Sequence, residues 1–166
     1  MNSSAKEIVS PFEKLLADLT ASHVDFAVVG GVAVIANGYV RLTEDLDILV
    51  SDSPENLQRL LEVLARFGEG FARELNPGDF VRQEGSIRVS EDFDLDIFTL
   101  MRGRVLDDFR PLLKRFDLST CSFMHLSPSH LIQLKQGSWR EKDQLDVAAM
   151  KEILAREAAA KKAPGA

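Results

Sequence analysis

Residues 26–50 constrain the fold more than any other stretch. They read Phe26-Ala-Val-Val, then Gly30-Gly31, then Val-Ala-Val-Ile-Ala-Asn-Gly38, and after Arg41-Leu-Thr43-Glu they continue Asp45-Leu-Asp47-Ile-Leu-Val50. The apolar, β-branched run over 24–29 predicts a strand that ends at Gly30. A short helix follows over 32–37, with Gly38 suited to its C-terminal end. A second strand covers 46–50. Residues two apart on a strand share a face, so Asp45 and Asp47 project together while Leu46 and Ile48 point into a core.

The remaining periodicities supply helices to cover such a sheet. Ile8, Val9, Phe12, Leu15, Leu16 and Leu19 recur at 3–4 spacing and predict a helix over 5–22. Ser53-Pro54 opens another, running to about residue 67. Asn76-Pro77-Gly78 is a turn, with a short strand expected at 80–81. Residues 87–98 alternate, with Arg88, Asp94 and Asp96 on the polar face, and Ser90-Glu91-Asp92 could split the run into a hairpin. Helix is expected over 105–114, a last strand over 121–126, a helix from Ser127-Pro128 through Lys135, and a final helix over 141–160 after Gly137. Residues 158–166 read as a frayed tail. Strands mixed with helices around one sheet give an α/β (α+β) class: one domain over 1–166 with its core at about 24–155.

Composition excludes several classes. At 166 residues, 45% hydrophobic and 28% charged, the chain is an ordinary globular domain. No apolar run is long enough to span a bilayer, so no membrane partner is expected. A single cysteine, Cys121, excludes an internal disulfide and suits a reducing, cytoplasmic setting. The net charge of −6 argues against a broad electrostatic hold on nucleic acid. The three histidines have no zinc-ligand spacing. Trp139 is expected in the core, in preference to stacking a base beside Arg140.

The chemistry lies in the acids and glycines. Two carboxylates side by side suit Mg²⁺, a hard cation that takes oxygen ligands and keeps room for phosphates. Asp94 or Asp96 would add a third acid if its strand neighbours that of Asp45 and Asp47. Glycine at 30 and 31 lets a phosphate approach the backbone, and the helix that follows offers free N–H groups. Each feature alone also has a plain reading: a solvated strand face, or a tight turn. For Arg41 an ion pair with Glu44 or Asp45 is as good a reading as substrate contact. Asp143 and Asp146 share a helical face within reach of Arg140, Lys142 or the site's edge.

Taken together, Gly30-Gly31, Arg41-x-Thr43-x-Asp45-x-Asp47 and Leu95-Asp96-Ile97-Phe98 resemble the polymerase-β-type nucleotidyltransferase superfamily. More narrowly, the chain is similar to small bacterial nucleotidyltransferase-like proteins, including toxins of abortive-infection and toxin–antitoxin systems. Leu131-Ile-Gln-Leu-Lys135 followed by Arg140-x-Lys142-Asp143-x-x-Asp146 fits that subgroup. The resemblance implies a nucleotidyltransferase fold, a mixed sheet flanked by helices. It implies Mg²⁺, with Mn²⁺ as a substitute, on Asp45, Asp47 and Asp96, the Leu-Asp-Ile-Phe match favouring Asp96 over Asp94. Gly30, Gly31, Thr43, Lys135 and Arg140 would hold the NTP. The implied reaction moves a nucleoside monophosphate to an acceptor hydroxyl on tRNA, protein or a small molecule, with an antitoxin as the partner of a toxin. Gly31 departs from the serine frequent at this place, so no side-chain hydroxyl meets the phosphate there. The alternative is a non-catalytic nucleotide-binding or protein-interaction module on the same fold.

Overall fold

The computed structural model describes residues 3–162. Its centre is a six-stranded mixed sheet built from β1 (Phe26–Val29), β2 (Asp45–Val50), β3 (Ser86–Ser90), β4 (Asp94–Phe98), β5 (Lys114–Asp117) and β6 (Ser122–His125). The strand order is β3-β4-β2-β1-β6-β5. The β2–β4 and β1–β6 pairs are parallel and the other three are antiparallel. Every residue of β1 is buried, as its unbroken apolar run requires of an inner strand.

Helices α1 (Ser3–Val9), α2 (Glu13–Ala21), α3 (Gly30–Ala36), α4 (Pro54–Leu64), α5 (Leu106–Phe109), α6 (Pro128–Lys135) and α7 (Glu141–Lys162) flank the sheet. Helix α3 packs on β1 and β2, α1 and α6 pack on α3, and α7 packs on α6. Side-chain capping fixes α4: Ser53 Oγ accepts the Asn56 N–H at 3.2 Å, and Pro54 occupies the first turn. The buried Asn56 amide then ties Asp25 and Ser51, bonding both carbonyls and the Asp25 N–H.

Several boundaries differ from the sequence expectation, mostly at prolines. The helix expected over 5–22 is interrupted by a 3₁₀ turn at Ser10–Phe12, because Pro11 has no N–H to continue the ladder. The helix expected over 105–114 is only α5, a 3₁₀ turn at Arg110–Leu112 around Pro111, and then strand β5. No strand forms at 80–81; Phe80 is buried after a 3₁₀ turn, and the Val81 carbonyl accepts from Thr99 Oγ1 at 2.9 Å. The alternation over 87–98 is a hairpin, β3 and β4. Helix α4 stops at Leu64, and α3 begins at Gly30 itself. Helix α7 continues to Lys162 where fraying was expected; 163–166 lie outside the described residues. No helix among the described residues is long and apolar enough to cross a membrane.

Candidate active site

The parallel β2–β4 pair sets the register of the acids. Asp45 lies opposite Asp94 and Asp47 opposite Asp96, so both pairs share one face of the sheet. Strand β3 brings Arg88 opposite Asp96 from the other side. The sheet therefore gathers four carboxylates and one guanidinium on a single face.

Gly30 closes β1 with a left-handed backbone, φ +64°, and packs directly against Asp47. A Cβ at residue 30 would overlap Asp47 Oδ2 and lie 2.9 Å from its Cγ. The glycine thus makes room for the carboxylate as well as for the turn. A Cβ at Gly31 would sit 3.0 Å from Arg41 Nη2 and 3.1 Å from Thr43 Oγ1. Arg41 and Thr43 therefore wall the same turn. Thr43 Oγ1 also donates to the Asp45 carbonyl at 3.3 Å, which fixes the entry to β2. Helix α3, which starts at this turn, has only seven residues.

Asp47 is crowded. Burial, then the charge of Asp96, a hydrogen bond shared with Asp96, and the charge of Asp45 push its carboxyl up to about 7. Lys135 is near enough to pull the other way. Asp96 is shifted down instead, chiefly because Arg88 grips it. Arg88 Nε and Nη2 donate to its two oxygens at 2.9 and 2.8 Å, and Ser86 Oγ adds a third donor at 3.2 Å. The same guanidinium reaches Asp94 at 3.2 Å and Asp45 at 3.7 Å.

The donor set suits a hard divalent cation: carboxylates only, in register, with Asp47 kept protonated toward neutral pH first by its burial and then by the acids around it. As arranged, no three His, Cys, Asp or Glu side chains among the described residues converge to hold an ion. The third acid spends both oxygens on Arg88.

A second charge network backs the glycine turn. Asp146 on α7 is completely buried, and Arg41 binds it through two 2.8 Å hydrogen bonds. Lys135 pairs with Asp146 at 3.0 Å and with Asp143 at 3.1 Å. Arg41 is thus joined to the last helix, and not to Glu44 or Asp45 as its sequence neighbours suggested. Gly137, at φ +86°, turns the chain between α6 and α7 so that Lys135 and Asp146 meet.

The structure brings together Gly30, Gly31, Thr43, Asp45, Asp47 and Asp96, with Lys135 at their edge. Arg140 is not among them: it is exposed, 3.9 Å from Asp143. Trp139 corrects another expectation. It is 88% exposed beside Ser138, whose hydroxyl is bound to Asp143, and takes no part in the core. Sequence reasoning missed the role of Arg88, although its place on the polar face of 87–98 opposite a row of acids was the available signal. No local signal could pair Arg41 with Asp146.

No protein-family model matches the chain, and no curated protein matches it in sequence. Solved structures do match its fold. The lincosamide antibiotic adenylyltransferase LnuA, solved with lincomycin bound, superposes with a TM-score of 0.56 at 16% identity, covering 92% of this chain and 98% of that one. A provisionally assigned nucleotidyltransferase from Thermotoga maritima superposes with a TM-score of 0.54 at 13% identity, covering 95% and 94%. The chain has the nucleotidyltransferase fold, as the sequence motifs led one to expect.

Proposed function

We propose that the chain is a divalent-cation-dependent nucleotidyltransferase that moves a nucleoside monophosphate from an NTP to an acceptor hydroxyl. The observation that carries this reading is the registration of Asp47 against Asp96 beside the Cβ-free turn at Gly30. Asp45, Asp47 and Asp96 are the residues that would hold Mg²⁺, or Mn²⁺ in its place. Such a cation, when bound, neutralises the phosphates and the departing pyrophosphate.

The chain's own residues have separable tasks. Gly30 and Gly31 let the triphosphate lie on the backbone, and Thr43 limits its position. Arg41 and Lys135 supply positive charge on that side, held in place by Asp146. Asp96, once free of Arg88, would orient the acceptor hydroxyl and draw on its proton. Holding the two reactants in line supplies much of the rate enhancement in such transfers.

The acceptor could be tRNA, a protein or a small molecule. The LnuA neighbour makes small hydroxylated molecules the class to try first. A toxin role with an antitoxin partner rests on the sequence resemblance. One observation favours a second reading, a non-catalytic nucleotide-binding module: Arg88 already satisfies the third acid.

Calorimetric titration of each NTP with Mg²⁺, beside the Asp45→Asn/Asp47→Asn double variant, tests the site without knowing the acceptor. Metal-dependent binding lost in the double variant is the expected result, and no binding to the wild-type chain defeats the reading. Label transfer from an α-labelled NTP, abolished by Asp47→Asn, would then separate enzyme from binder.

A further inference from the structure

We propose that Arg88 is a resident counter-ion, a guanidinium that occupies Asp96 in place of a divalent cation and must leave it before a cation can bind. This rests on the reading in which Asp45, Asp47 and Asp96 hold the metal. The geometry is that of a paired fork: Nε to Oδ1 at 2.9 Å and Nη2 to Oδ2 at 2.8 Å, with Nη1 turned to Asp94 at 3.2 Å. A bidentate grip uses the in-plane lone pairs that a cation would need. Asp45 lies within 3.7 Å of the same guanidinium, so one positive charge serves three of the four carboxylates.

Three features make this a replaceable contact. Arg88 stays charged at any physiological pH, so a competing cation, and not deprotonation, is what releases it. Its side chain is 51% exposed, while Asp96 is buried; the arginine can turn into water without opening the core. It stands on β3, an edge strand whose inward Val89 is buried and holds the backbone independently of the fork. Cation affinity is then the intrinsic affinity of the acids reduced by the fraction of chains in which Arg88 has let go. Arg88 is a positioning residue in this scheme, since it touches the acids and not the reacting atoms.

The test uses Mn²⁺ alone, titrated into the full chain, with free Mn²⁺ read by electron paramagnetic resonance. Arg88→Gln should bind Mn²⁺ about tenfold tighter or more, a gain of about 1.4 kcal/mol or more. Arg88→Lys, which keeps the charge but not the fork, should fall between it and wild type, and Asp47→Asn should bind none. Equal or weaker binding by folded Arg88→Gln, with binding still lost in Asp47→Asn, overturns the counter-ion role and leaves the metal reading standing. No Mn²⁺ binding by wild type or Arg88→Gln overturns both. A measurement on the unmutated chain covers a variant that fails to fold. The Arg88 Nε–H resonance should lose its protection from exchange as Mg²⁺ is added, and an unchanged resonance at saturating Mg²⁺ overturns the proposal.

Discussion

Asp47 and Asp96 are direct partners across the parallel β2–β4 pair, and burial together with the Asp96 charge lets Asp47 keep a proton up to about pH 7. The folded chain therefore binds more protons at this position than the unfolded chain between about pH 4 and 7. Its stability contribution falls as the pH rises through that window. Asp47→Asn should be more stable than wild type at pH 8 by about 1–3 kcal/mol, roughly 3–10 °C in Tm, and the gap should close near pH 4. Thermal melts of both chains in chelator at the two pH values check this. The comparison is needed because His125, pushed down to about 4 by its burial, acts in the opposite direction between pH 4 and 6.5.

Asp146 is a completely buried acid shared by Arg41 and Lys135. Removing its charge takes the carboxylate partner from Arg41 and leaves Lys135 with Asp143, and both cations are themselves mostly buried. Asp146→Ala should cost about 3–5 kcal/mol in urea denaturation. Arg140→Ala, at the exposed rim of the same network, should change stability by less than about 0.5 kcal/mol. Comparable losses in the two variants would mean that the network does not anchor α7.

The two glycines of the turn should respond differently. Gly30→Ala meets a left-handed backbone, worth about 1–2 kcal/mol, and collides with the Asp47 carboxylate besides. It should lower Tm and abolish Mg²⁺-dependent nucleotide binding. Gly31→Ala meets the Thr43 hydroxyl and the guanidinium of Arg41, which Asp146 holds in place, at 3.0–3.3 Å, so the neighbours must give by only a few tenths of an ångström. It should lower Tm less than Gly30→Ala does, and melting curves with calorimetry on both variants make the comparison.

Trp139 is the chain's single tryptophan and lies almost wholly in water. Its emission maximum should be that of a hydrated indole in the native state and should scarcely move in urea, while the circular dichroism signal collapses. Trp139→Ala should alter stability by less than about 0.5 kcal/mol. A blue-shifted native emission would contradict its exposure.

The legible parts of this molecule are those written in local pattern. Residues 26–50 fold as their glycines and alternation require, because strand, turn and strand lie next to one another in sequence. The acids of 87–98 were legible as one polar face, but their register against Asp45 and Asp47 comes from strand pairing that no periodicity encodes. Strand β5 was hidden: Lys114-Arg-Phe-Asp117 buries only Phe116, and an edge strand has little need of alternation. The Arg41–Asp146 pair was hidden for another reason. A charged residue on a polar helix reads as solvated, and only the packing of α7 on α6 takes it out of water.

The contact between Gly30 and Asp47 has a consequence for descent. The two positions draw on one small volume, so neither can change freely while the other is kept. A lineage that acquires a side chain at 30 is under pressure to shorten 47, and in doing so it gives up one of the acids proposed to hold the cation. Among relatives of this chain, an alanine or larger residue at 30 should travel with a small residue at 47. That paired change would mark, from sequence alone, the branches in which the fold has outlived its chemistry.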